Sequence, residues 1–190
     1  FRQMALRYAD VTVLFADIVD FTAMATKMQA EQLVTVLNEI FSIFDRLAEK
    51  HGLEKIKTIG DAYMVAGGLP VQKPDHTERM AEMALDMLAE VQRRNTERKE
   101  SVQVRIGMAT GPVVAGVIGE KKFAYDLWGD TVNVASRMES TGVPGAIQVT
   151  EDVAKRLQER YLVEKRGKVD VKGRGSMVAW LLVKRKGWTR

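Results

Sequence analysis

The stretch "VTVLFADIVDFT", residues 11–22, restricts the fold more than any other. Val11, Val13, Leu14 and Phe15 make an apolar run of β-branched and aromatic residues that reads as a core strand. Asp17 and Asp20 then follow at its end. A carboxylate at the end of a core strand costs several kcal/mol or more to desolvate unless it is paired, hydrogen-bonded or bound to metal. The chain must therefore fold so that this strand ends among partners for negative charge.

At 190 residues the chain has the length of one domain with a sizeable core. No apolar stretch approaches the roughly 20 residues of a membrane span, so a soluble piece is expected, and the lack of cysteine fits a cytoplasmic domain. Because it opens on Phe1, we expect a piece of a longer, regulated protein whose upstream or membrane-anchoring parts lie elsewhere; the leading "FRQMALRYAD" reads as a linker or the entry of a signalling helix. The absence of cysteine excludes disulfides and thiolate metal sites. His51 and His76 are the only histidines, so a metal here would be held by oxygen and would be Mg²⁺ or Mn²⁺ rather than zinc. A formal net charge of +4 suits an anionic partner, whether nucleotide, nucleic acid or membrane surface, without choosing among them.

Strand-like and helix-like stretches alternate along the chain. Residues 31–50 carry Leu33, Val34, Leu37, Ile40, Phe41, Phe44, Leu47 and Ala48 at amphipathic-helix spacing, ended by His51 and Gly52. Residues 53–68 read as a hairpin around Gly60-Asp61. A second helix over 77–95 has a Met-rich stripe suited to a core. A strand over 102–111 precedes a hairpin-like pair, "PVVAGVIG" and "FAYDLWG", joined at Glu120-Lys121-Lys122. A helix over 131–142 is expected next, with Asp130 or Thr131 as N-cap and Gly142 as stop. A strand, a short helix and two strands close the chain before Lys184-Arg185-Lys186, a basic tail expected in solvent. Helices on a mixed, largely antiparallel sheet predict an α+β sandwich of ferredoxin-like type.

Asp61 lies at the tip of a hairpin whose strands would neighbour the first. Two carboxylates at adjoining strand ends, with no His or Cys nearby, suit an oxygen-ligand site for two divalent ions. On spacing alone, a cap or ion-pair role for Asp17 and a turn role for Asp61 serve as well.

"LFADIVDFT", "KIKTIGDAYMVAGGLP", "RIGMATGPVVAGVIG" and "YDLWGDTVNVASRMESTG" resemble, in order, the successive motifs of the class III nucleotidyl cyclases, from about residue 11 to 183. That resemblance implies a fold like the palm of nucleic-acid polymerases. It also implies conversion of a nucleoside triphosphate to a 3′,5′-cyclic monophosphate and pyrophosphate, at sites on a dimer interface. By position, Asp17 and Asp61 match metal-binding aspartates and the Ile18 carbonyl a further ligand, for two ions of Mg²⁺ or Mn²⁺. Phe21 and Thr22 match residues whose amides hold the β- and γ-phosphates, Arg105 a phosphate-contacting arginine, and Lys172 a lysine reaching the triphosphate from the partner subunit. Asn133 and Arg137, four apart on one helix face, match the ribose-orienting asparagine and the transition-state arginine.

Base choice follows from hydrogen bonding. Adenine offers an acceptor at N1 and a donor at N6, guanine the reverse at N1 and O6, so donor-only Lys57 and acceptor-only Asp126 suit ATP. Guanylyl cyclases typically carry Glu and Cys, or another small residue, at the matching positions. The set is complete in one chain, which implies a homodimer with Asp17, Asp61 and Arg105 from one subunit and Lys57, Asp126, Asn133, Arg137 and Lys172 from the other. Two positions depart from the pattern: Asp20 replaces a glycine beside the phosphate loop, and Ala109 a histidine, the latter expected to be structural. A guanylyl cyclase is disfavoured by Lys57 and Asp126, and a catalytically silent nucleotide sensor by the completeness of the set. A ferredoxin-like RNA-binding module lacks support because its strands carry no RNP-type aromatic motif, and no nucleic-acid partner is expected.

Overall fold

The computed structural model describes residues 5–187. Its elements run β1 (Ala5–Ile18), α1 (Phe21–Lys27), α2 (Ala30–Lys50), β2 (Glu54–Ile59), β3 (Ala62–Gly67), α3 (His76–Arg98), β4 (Val104–Ile118), β5 (Ala124–Trp128), α4 (Asp130–Ser140), β6 (Ile147–Thr150), α5 (Glu151–Leu157), β7 (Tyr161–Val171) and β8 (Gly175–Arg185). The strands form one sheet in the order β2-β3-β1-β4-β6-β8-β7, with β5 paired to β4 off that path. Among the described residues only the β4–β6 pairing is parallel. This is the expected α+β sandwich with a mostly antiparallel central sheet.

β1 is apolar without alternation because both of its faces are covered. Leu14, Ala16 and Ile18 join the core beneath α2, α3 and α5, whereas Val11, Val13 and Phe15 join a second core beneath α4. α2 and α3 bury their apolar stripes into the first core, Ile40 and Phe44 from one and Met80, Met83 and Met87 from the other. The methionine stripe is thus core, as its spacing predicts.

Four local expectations are corrected. Residues 5–10 are strand rather than linker or helix, while residues 1–4 lie outside the described residues. The strand over 102–111 and "PVVAGVIG" are one strand, β4, running through Pro112. The ladder tolerates this because Tyr8 pairs with Val113 and Val11 with Gly111, so Ala9 and Asp10 bulge opposite the residue that has no N–H to donate. Neither Asp130 nor Thr131 caps α4: Gly129 is its N-cap, and the Thr131 hydroxyl instead donates to the Pro112 carbonyl at 2.8 Å. Lys184, Arg185 and Lys186 are exposed as expected but do not form a loose tail, since Arg185 ends β8 and pairs with Glu82 at 2.8 Å and Asp86 at 3.0 Å on α3.

Gly107 in β4 sets how closely α4 approaches the sheet. A Cβ there would lie 2.1 Å from the Glu139 amide nitrogen and 2.5 Å from the Met138 carbonyl carbon, both backbone atoms that no side-chain rotation can clear. We expect Gly107→Ala to destabilise the chain by about 3 kcal/mol, read as a lowered urea midpoint. An unchanged midpoint would contradict this packing.

Candidate active site

Three neighbouring strands deliver the first group of side chains. Asp17, second to last in β1, pairs with Ala62 of β3 on one side and Arg105 of β4 on the other. Asp61 occupies the β2–β3 turn immediately before Ala62, which brings the two aspartates together as the hairpin predicts. The turn depends on Gly60, whose φ of 58° is a left-handed conformation. Burial, and next the Asp17 charge, push the Asp61 carboxyl upward, opposed by backbone amides including that of Ile18. The Ile18 backbone therefore lies beside both carboxylates.

Arg105 supplies the local countercharge. Its guanidinium donates to the two Asp17 oxygens at 3.4 and 3.2 Å. That contact raises the Arg105 pKa, with Glu139 and Asp20 adding to the effect. Glu139, on α4, was not singled out from the sequence. It is 7% exposed, its Oε2 lies 3.5 Å from Arg105 Nε, and burial, reinforced by Asp17, pushes its carboxyl up to about 8. The signal was available in the sequence: Thr131, Ala135 and Glu139 recur at four-residue intervals along the face of α4 that is buried.

A bulge positions the second group. Lys55 pairs with Val65 but Lys57 with Met64, so Ile56 is extra and the two lysines turn to opposite faces of the sheet. Lys55 meets Asp45 of α2 at 2.9 Å; Lys57 Nζ meets Asp126 Oδ2 of β5 at 2.7 Å. The other Asp126 oxygen accepts from the Leu127 amide at 2.8 Å, which fixes the carboxylate. The donor–acceptor pair inferred for base recognition is therefore preassembled within one chain.

The remaining residues lie on α4, the β7–β8 turn and α1. Asn133 is exposed, four residues before half-buried Arg137. Arg137 donates to the Asp170 carbonyl of β7 at 3.2 Å, and its Nε is buried without a hydrogen-bond partner. Lys172 is exposed in the turn closed by the Arg174 amide on the Val171 carbonyl at 2.9 Å, next to Gly173 at φ 86°. Phe21 and Thr22 open α1, and Asp20 before them is exposed and left-handed at φ 57°. Ala109, 1% exposed, is a core residue of the second cluster. Asp17, Asp61, Arg105, Ile18 and Glu139 thus gather at one place and Lys57 with Asp126 at another, while Arg137 is tied to the strand that leads into the Lys172 turn.

The donor set suits hard divalent cations. Asp17, Asp61 and the Ile18 carbonyl could offer only oxygen, and no group of three or more His, Cys, Asp and Glu stands ready to hold an ion among the described residues. Two carboxylates without a full cage match Mg²⁺ or Mn²⁺ sites completed by substrate phosphates and water.

A mostly antiparallel sheet with paired aspartates at adjoining strand ends, an arginine beside them and a covering helix fits the nucleotidyl cyclase type of catalytic domain that the motifs resemble. Residues 4–184 match the family model for the adenylate and guanylate cyclase catalytic domain, and the chain belongs to that family. It is 49% identical over 183 residues to an adenylate cyclase of Mycobacterium tuberculosis, covering 96% of this chain and 41% of that protein. It is also 48% identical to a membrane guanylyl cyclase of Dictyostelium discoideum, covering 94% of this chain and 12% of that one. The chain thus spans less than half the length of these relatives. The guanylate cyclase domain of RhGC from Catenaria anguillulae, solved with GTP, superposes with a TM-score of 0.90 at 36% identity, covering 95% of this chain and all of that one. Among the described residues no helix is long and apolar enough to cross a membrane.

Proposed function

We propose that this chain is the catalytic domain of an adenylyl cyclase, converting ATP to 3′,5′-cyclic AMP and pyrophosphate at sites shared across a homodimer. The observation that carries the choice of ATP is the 2.7 Å Lys57–Asp126 pair. Its ammonium suits adenine N1 and its carboxylate N6, whereas guanine would set N1–H against a cation and O6 against an anion. Similarity to guanylyl cyclases favours GTP as the competing substrate, and this pair argues against it.

Asp17, Asp61 and the Ile18 carbonyl would hold two ions of Mg²⁺ or Mn²⁺. The chemistry that such ions would supply is a lowered pKa of the ribose 3′-OH and neutralisation of the triphosphate and the departing pyrophosphate. Arg105 and the backbone amides of Phe21 and Thr22 hold phosphate oxygens. From the other subunit, Asn133 orients the ribose, Arg137 stabilises charge on the α-phosphate as it becomes five-coordinate, and Lys172 reaches the triphosphate. The whole span serves as one catalytic domain within a longer regulated protein.

The purified chain, supplied with ATP or GTP in Mn²⁺ and in Mg²⁺, is expected to make cyclic AMP from ATP, with specific activity rising as the protein is concentrated. Preferential cyclic GMP formation would overturn the assignment. Asp20 adds a charge that acts on Arg105 and occupies a backbone conformation better suited to glycine. We expect Asp20→Gly to lower the KM for ATP by about two- to fivefold, the scale of one exposed charge. An unchanged KM would remove Asp20 from substrate binding.

A further inference from the structure

Arg166 takes no part in the cyclase reading, yet it reaches the end of α4 that carries Arg137. Lys165 pairs with Trp180 and Gly167 with Ala179, so Arg166 is the extra residue of a bulge in β7, which re-aims its side chain. Its Nη1 donates to the Thr141 carbonyl and to Gln148 Oε1. Gln148, on β6 and 0% exposed, passes the contact on: its Nε2 donates to the Met138 carbonyl at 3.0 Å and to the Thr141 hydroxyl at 2.9 Å. That hydroxyl donates in turn to the Arg137 carbonyl at 2.6 Å. A guanidinium, an amide and a hydroxyl thus answer three carbonyls at the end of α4, where a helix has no internal donors left and where a cation suits its dipole.

Arg137 stands in the last turn of α4, the part of a helix most prone to fray. Its guanidinium reaches the Asp170 carbonyl, also on β7, at 3.2 Å. β7 therefore meets α4 at two points, and the Arg166 contact fixes the backbone from which Arg137 projects. We infer that Arg166 is a positioning residue for Arg137: by holding the end of α4 through Gln148 and Thr141, it sets where the Arg137 guanidinium stands against the α-phosphate. The inference rests on Arg137 acting there, as proposed above. Misplacing such a group by about 1 Å costs up to about 10²-fold in rate. Because Arg137 acts on charge that develops only in the transition state, the loss falls on kcat rather than on KM.

The test is Arg166→Met, which keeps an aliphatic stem and removes the donors. It is expected to lower kcat for cyclic AMP formation about tenfold, with the KM for ATP within about twofold of wild type. Arg166→Lys, which keeps the charge, should fall between the two, and it reads the same split should Arg166→Met not fold. Mixing then shows on which side of the shared site Arg166 acts. An Asp17→Ala chain carries an intact Arg166 beside its own Arg137, so after subunit exchange at equal proportions it is expected to raise the activity of Arg166→Met to about one quarter of wild type, whereas Arg137→Ala chains should not raise it. A general defect in folding or assembly makes no such choice of partner. A wild-type kcat in Arg166→Met, a change confined to KM, or rescue by Arg137→Ala chains overturns the inference and leaves the cyclase reading standing. If the wild-type chain makes no cyclic nucleotide, or Asp17→Ala with Arg137→Ala stays inactive after exchange, the role of Arg137 falls, and this inference with it.

Discussion

Exchanging Lys57 for glutamate and Asp126 for cysteine together is expected to shift the preference for ATP over GTP by about 10³-fold toward GTP, measured as the ratio of kcat/KM for the two. Two recognition groups are reversed at once. Each mismatched buried polar contact costs roughly 1–3 kcal/mol, and the two act on the same base edge. The two positions must change together because the wild-type side chains pair directly at 2.7 Å. Lys57→Glu alone would set a carboxylate against Asp126, and Asp126→Cys alone would leave the ammonium without its anion. Both single variants are therefore expected to lose activity toward ATP without gaining comparable activity toward GTP. A double variant that keeps its preference for ATP would show that base choice lies outside this pair.

Asp17→Ala is expected to lower cyclic AMP formation by a factor on the order of 10³, the loss typical when electrostatic support at the reacting phosphate is removed. Asp17 stands between Ala62 and Arg105 in the register, so its loss would remove the proposed cation ligand and free Arg105. For stability, the lost Arg105 pair is opposed by a gain. Deleting the carboxylate relieves its repulsion toward Asp61 and Glu139, which raises both of their pKa values in the wild type. The variant should accordingly stay folded, with a urea midpoint close to wild type, while catalysis collapses. Residual activity within tenfold of wild type would remove Asp17 from the chemistry.

Much of the fold was legible because its cues are local. The unbroken apolar run of β1 is what a strand covered on both faces requires, and the Gly60-Asp61 turn places Asp61 beside Asp17 as soon as β3 pairs with β1. Features that depend on a partner strand were not legible. The bulge at Ile56 is a register event between β2 and β3, and it alone puts Lys57 on the face opposite Lys55. The passage of β4 through Pro112 depends on a bulge about one hundred residues away, at Ala9 and Asp10. Glu139 lay between the two cases. Its spacing from Thr131 and Ala135 marks the buried face of α4, but only the approach of that helix to Gly107 shows that the face meets Arg105. Lys172 is exposed in its turn, and its proposed role is carried by the family motif, because an exposed lysine beside a glycine has no local signature.

The central claim is that one catalytic site is assembled from two chains, with Asp17, Asp61 and Arg105 from one and Lys57, Asp126, Asn133, Arg137 and Lys172 from the other. Mixing an Asp17→Ala chain with an Arg137→Ala chain, after the two have exchanged subunits, tests it most directly. Each is expected to be nearly inactive alone. The mixed dimer carries both defects in one site and neither in the other, so cyclic AMP formation should recover to about one quarter of wild type at equal proportions, half of the dimers having one intact site of two. Mixtures that exchange subunits and stay as inactive as their components would contradict the shared site.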